Sequence, residues 1–115
     1  MRSKDEARIQ TACITWARLQ YPHELIYHVP NGGSRNIIEA ANLKRQGVLA
    51  GVFDIHVDKA RHGYHGLKIE MKRPGGKLTP AQKAYKAKCD AEGYLTAVLD
   101  TFDDFMNLIN WYLHD

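Results

Sequence analysis

At 115 residues and 13.1 kDa, with 44% hydrophobic and 25% charged side chains, the chain has the size and composition of a single globular domain, residues 1–115. Those proportions exclude collagen-like, disordered and repeat architectures. No apolar run approaches the roughly 18–20 residues of a membrane span, and Met1-Arg2-Ser3-Lys4-Asp5-Glu6 lacks the apolar stretch of a signal peptide, so a cytoplasmic location without membrane contact is expected.

The formal charge of +3 conceals a division. Residues 1–90 hold all 16 basic side chains against 8 acidic ones, a local +8, whereas residues 91–115 hold Glu92, Asp100, Asp103, Asp104 and Asp115, a local −5. The basic body suits a polyanion, and the acidic tail segment is expected to lie away from it, at a dimer interface or on the back surface.

In chain order, Asp5 to Gln20 reads as a helix, with Ile9, Ala12, Cys13, Trp16 and Ala17 on one apolar face and Ser3 or Asp5 as cap; Pro22 stops it. Leu25 to Val29 suits a short strand, Asn31-Gly32-Gly33 a turn, and Ser34 caps a second helix that runs to about Gln46 and ends at Gly47. Gly51 to Asp58 alternates, with Val52, Asp54, His56 and Asp58 opposed to Phe53, Ile55 and Val57, and Leu67 to Lys72 alternates likewise; the two make a hairpin. Thr79-Pro80 opens a helix to Glu92 that Gly93 closes, Tyr94 to Leu99 is a strand, and Thr101 caps a last helix with a broad apolar stripe. The expected class is α/β, a mixed central sheet flanked by helices in the order α-β-α-β-β-α-β-α.

Chemistry concentrates on Asp54 and on Glu70-Met71-Lys72. Strand residues two apart share a face about 6.6 Å apart, so Glu70 and Lys72 project together while Met71 enters the core, and pairing in register brings Asp54 beside them. Two carboxylates on rigid strands suit Mg²⁺, which takes oxygen ligands and retains positions for water and substrate phosphate. Such an ion polarises a phosphoryl oxygen and lowers the pKa of a water nucleophile, with Lys72 beside it to offset growing charge. The bland alternative is a solvated strand face of alternating charges.

The ordered surroundings carry a resemblance. Glu6, the turn Pro30-Asn31-Gly32-Gly33, the strand Gly51-Val52-Phe53-Asp54, and the run Ile69-Glu70-Met71-Lys72-Arg73-Pro74-Gly75-Gly76-Lys77-Leu78-Thr79-Pro80-Ala81-Gln82 followed by Tyr85 resemble the VRR-NUC domain, a branch of the PD-(D/E)XK nuclease superfamily with a restriction-endonuclease-like core. The resemblance spans Glu6 to about Leu99, and the Glu-x-Lys step with its Gly-rich turn and Leu-Thr-Pro-x-Gln is its most specific part. It implies that Asp54 and Glu70 bind metal, that Lys72 is the catalytic lysine, that Gln82 acts from the following helix and that Glu6 completes the metal and catalytic set. Phe53 stands where the superfamily pattern has proline. Glu6 also has a plain reading as an acid favoured by the helix dipole, and Gln82 as a surface residue of a first turn.

The resemblance further implies an endodeoxyribonuclease using Mg²⁺ or Mn²⁺ and a metal-activated water, acting as a homodimer on branched DNA such as Holliday junctions, of phage or bacterial origin. The last helix's stripe, Phe102 to Leu113 with Leu108 and Trp111, suggests the dimer surface, because it exceeds what a small sheet would cover.

Between residues 42 and 88 there are 11 Lys and Arg against Asp54, Asp58 and Glu70. Arg73, Lys77, Lys83 and Lys86 are the candidate phosphate contacts, with the exposed backbone of Asn31-Gly32-Gly33 a further one. Neither a helix-turn-helix nor a finger nor an RNP signature is present, so recognition would rest on backbone and shape. His62 and His65 lack the partners of a zinc site, Cys13 and Cys89 read as buried free thiols, and Gly75-Gly76-Lys77-Leu78-Thr79 misses the phosphate-loop spacing, so no nucleotide cofactor is expected. Two other readings remain: a non-catalytic DNA-binding module on the same fold, and an RNA-directed or restriction-like nuclease.

Overall fold

The structure is a computed structural model that describes residues 4–30 and 36–114. Among them the elements are α1 (Lys4–Gln20), β1 (Ile26–His28), α2 (Ile37–Arg45), β2 (Ile55–Val57), β3 (Leu67–Met71), α3 (Pro80–Ala91), β4 (Leu95–Leu99) and α4 (Phe102–Leu113), in the anticipated order. The strands form one sheet in the order β1-β2-β3-β4, antiparallel at the first two pairings and parallel at the last. The parallel step demands a crossover, which α3 supplies.

Alternation sorts the sheet's two faces. Ile26, Ile55, Val57, Leu67, Ile69 and Met71 turn to one side and bury against Cys13 and Ala17 of α1 and Phe105, Ile109, Tyr112 and Leu113 of α4. Trp16 joins the two helices through edge-on contacts with Phe102 and Phe105, and the Tyr21 hydroxyl donates to Asn110 Oδ1 at 2.6 Å. Helix α3 lies on the other face, where Lys68 reaches the Tyr85 hydroxyl.

Several expectations change. Asp5 lies inside α1 rather than capping it, and Ser3 falls outside the described residues. The cap of α2 is Asn36, whose side chain accepts from Glu39 N at 2.7 Å, while Ser34 and the turn Asn31-Gly32-Gly33 fall outside the described residues. The strand expected over Gly51–Asp58 shortens to Ile55–Val57, with Asp54 in a bend before it. Phe53, fully buried, belongs outside the main core and packs 5.4 Å from the Tyr85 ring of α3, so the alternation breaks at the bend.

The stripe of α4 is covered within the chain, because α1 as well as the sheet packs on it; Trp111 stays half exposed and stacks on His62 at 4.0 Å. It therefore leaves no broad apolar face for a partner. Of the other exposed large apolar side chains among the described residues, Ile37, Ile38, Val48 and Leu49 lie on α2 and the following loop while Leu19, Leu25 and Val98 lie elsewhere, and α2 contributes no buried residue. Among the described residues no helix is long and apolar enough to cross a membrane.

Candidate active site

The register of β2 on β3 pairs Ile55 with Ile69, and one step further sets Asp54 opposite Glu70. Both carboxylates are buried, at 7% and 3% exposure, an arrangement that costs free energy unless their charge is met. The bend and the end of β3 are clasped by two backbone donors. Asp54 N donates to Glu70 Oε1 at 3.2 Å, and Met71 N donates to Asp54 Oδ2 at 3.1 Å. On its other side the Asp54 carbonyl accepts from Val29 N at 2.7 Å and lies 3.0 Å from His28 Nδ1, so β1 fixes the bend that aims the aspartate.

Glu70 Oε2 receives Gln82 Nε2 at 2.9 Å and faces Lys72 Nζ at 3.5 Å. The lysine is itself largely enclosed, with 12% of its side chain exposed, and its backbone N–H donates to Leu99 O at 2.8 Å, continuing the ladder past β3. Gln82 has a second task. It is the third residue of α3, and its Oε1 accepts from Thr79 N at 2.9 Å while Thr79 Oγ1 accepts from Gln82 N at 3.2 Å, a capping box. One amide thus joins the cap of α3 to the Glu70 carboxylate.

Glu6 arrives from α1 at the end of β3, where its Oε1 accepts from Arg73 N at 3.4 Å. Among the described residues no group of three His, Cys, Asp or Glu stands close enough to hold a metal together, so the arrangement is a carboxylate pair, with Glu6 on the Arg73 backbone. The pair nevertheless fits a divalent cation, because its donors are hard oxygens buried side by side. Mg²⁺ and Mn²⁺ commonly take only one or two protein carboxylates, leaving positions for water and phosphate.

Of the expected phosphate contacts, Arg73, Lys77 and Lys83 are exposed, whereas Lys86 pairs with Asp90 at 2.9 Å. Sequence reasoning missed Gly51. At φ +89° it abuts the first turn of α3, where a Cβ would meet Ala81 O at 2.4 Å, so a side chain would push the aspartate's loop off the helix that carries Gln82. It also gave no role to His28, whose contact needs the β1–β2 register. Beside the pair, burial first and the Lys68 ammonium second lower the His56 pKa, favouring a neutral imidazole.

The mixed four-stranded sheet with helices on both faces is a restriction-endonuclease-like fold, the core of the PD-(D/E)XK class. The family described as VRR-NUC domain matches residues 4–103, nearly the whole chain. A solved structure titled "VRR_NUC domain protein" is 32% identical, covers 98% of this chain and 91% of its own, and superposes with a TM-score of 0.79. A second, titled "VRR_NUC domain", shares the fold at 20% identity and a TM-score of 0.63, covering 96% of this chain and 99% of its own. No curated protein matches. The chain belongs to the VRR-NUC family of nuclease domains.

Proposed function

We propose that the chain is an endonuclease that hydrolyses phosphodiester bonds of DNA with Mg²⁺ or Mn²⁺. The observation that carries this reading is the buried Asp54–Glu70 pair with Lys72 and Gln82 both on Glu70. Asp54 and Glu70 would hold the ion, which when bound supplies Lewis acidity at the phosphoryl oxygen and a lowered pKa for water. Lys72, enclosed and fixed, offers an ammonium where negative charge grows on the phosphoryl group. Gln82 orients the Glu70 carboxylate from α3 and prevents its rotation away from Asp54. Arg73, Lys77 and Lys83 would take the flanking phosphates, and Glu6 would act from α1 at the rim.

Incubation of supercoiled plasmid and of a synthetic four-way junction with wild type and with Asp54→Asn, Glu70→Gln and Lys72→Ala tests the reading. Wild type is expected to cut with Mg²⁺ or Mn²⁺ and to stop with chelator, while each variant loses about a hundredfold or more. Equal activity in all four proteins would end the nuclease assignment.

Branched DNA as substrate and a homodimer as working form belong to the same proposal. Ile37 and Ile38, at 87% and 72% exposure, make α2 and its loop the candidate contact between copies in place of α4. Light scattering at micromolar protein should give twice 13.1 kDa, and a monomer would remove the dimer. A non-catalytic DNA-binding module is the second reading. It draws on the backbone bonds that both carboxylates make, which would serve folding without any ion.

A further inference from the structure

Tyr27, His56, Lys68 and Thr96 are successive register partners across β1, β2, β3 and β4, a single transverse row. Their strand neighbours Ile26, Ile55, Val57, Leu67 and Ile69 bury in the core, so the row stands on the face that α3 shares. It lies two residues along the strands from Asp54 and Glu70, about 6.6 Å.

The row is prearranged. Lys68 Nζ donates to the Tyr85 hydroxyl at 2.9 Å and sits 4.5 Å over the Tyr94 ring, which holds a cation at the α3 side. On the β1–β2 side the Tyr27 and His56 rings lie 5.7 Å apart at 49°. The Tyr27 hydroxyl donates to Asp58 Oδ2 at 2.8 Å, and His56 Nε2 lies 3.0 Å from Phe53 O. What the half-buried rings still offer is π-surface. Resting on the nuclease reading above, we infer that Tyr27 and His56 form a stacking subsite for an unpaired nucleotide next to the scissile phosphate, with Lys68 as its fixed cation.

Stacking suits a nucleobase because every base has a π-face, so the subsite would select single-strandedness over sequence. A base paired in a duplex is already stacked between its neighbours and gains nothing there. A peptide partner fits less well, since the row offers no large aliphatic side chain.

The test measures binding of a labelled single-stranded oligonucleotide and of a blunt duplex of the same sequence in Mg²⁺, in a Lys72→Ala background so that bound strands stay intact. Tyr27→Ala and His56→Ala are expected to weaken the single strand on the order of tenfold and the duplex less than about twofold. Tyr27→Phe and His56→Phe, which keep a ring, should retain binding and guard against misfolding as the cause. Unchanged single-strand binding in the alanine variants, equal weakening of both probes, or loss of binding in the ring-keeping variants would overturn the subsite. If wild type cuts DNA while the alanine variants bind normally, the subsite alone fails. If the background protein binds neither probe and wild type cuts nothing, the nuclease reading fails with it.

Discussion

Gln82 is held at both ends of its amide, by Thr79 N and by Glu70 Oε2, so substitutions there separate folding from chemistry. Gln82→Ala removes the capping acceptor and should cost about 1 kcal/mol in a thermal melt. Gln82→Glu keeps an acceptor for Thr79 N but sets a carboxylate against Glu70, so its melt should be nearer wild type than its cleavage rate. Asp54→Asn makes the complementary case. The asparagine oxygen can still accept from Met71 N while one of two adjacent buried charges disappears. In EDTA this variant should melt at or a few degrees above wild type. Millimolar Mg²⁺ should raise the melting temperature of wild type and not of the variant. A wild-type melt indifferent to Mg²⁺ and Mn²⁺ would speak against a metal on this pair.

At the scale of elements, the site depends on how the loop before β2 meets α3. Gly51 has both a left-handed backbone, φ +89°, and no room for a Cβ. Gly51→Ala is therefore expected to destabilise by about 2 kcal/mol or more and to lower activity further than the melt alone explains, because the first turn of α3 carries Gln82. Equal stability by denaturant unfolding would show that the loop can shift without cost. The caps of α3 and α4 were plain in the sequence, since Thr79-Pro80 and Thr101 are N-termini in the structure, and Gly47 and Gly93 end their helices at positive φ, whereas the cap of α2 was not. Each depends on contacts within three or four residues. The register, the fold of Phe53 onto α3 and the need for glycine at 51 involve partners far along the chain, where local pattern carries no information.

For the whole molecule, the charge division acquires a shape. Asp103 and Asp104 lie in the first turn of α4, where the helix dipole favours them, and α4 covers the face opposite α3. The exposed cations Arg73, Lys77 and Lys83 follow β3 and open α3, the elements that carry Glu70 and Gln82. DNA affinity should fall steeply with salt, and Lys83→Ala should lower that slope by about one counterion. Lys86→Ala should lower it less, since Asp90 already pairs with Lys86. Equal slopes for the two variants would place the DNA elsewhere.

By itself the sequence determined the order of elements, the caps of α3 and α4 and the resemblance that names the family, because periodicity, capping and motif spacing are properties of neighbouring residues. It also read the α4 stripe as a surface, without the information that α1 packs on the same side of the sheet. Only the tertiary structure decided that. It alone set Asp54 across from Glu70, drew Gln82 to the same carboxylate, put Glu6 at Arg73 N and lined up Tyr27, His56 and Lys68 in one row. These are facts of strand register and helix placement, fixed by burying the two apolar faces of the whole chain at once.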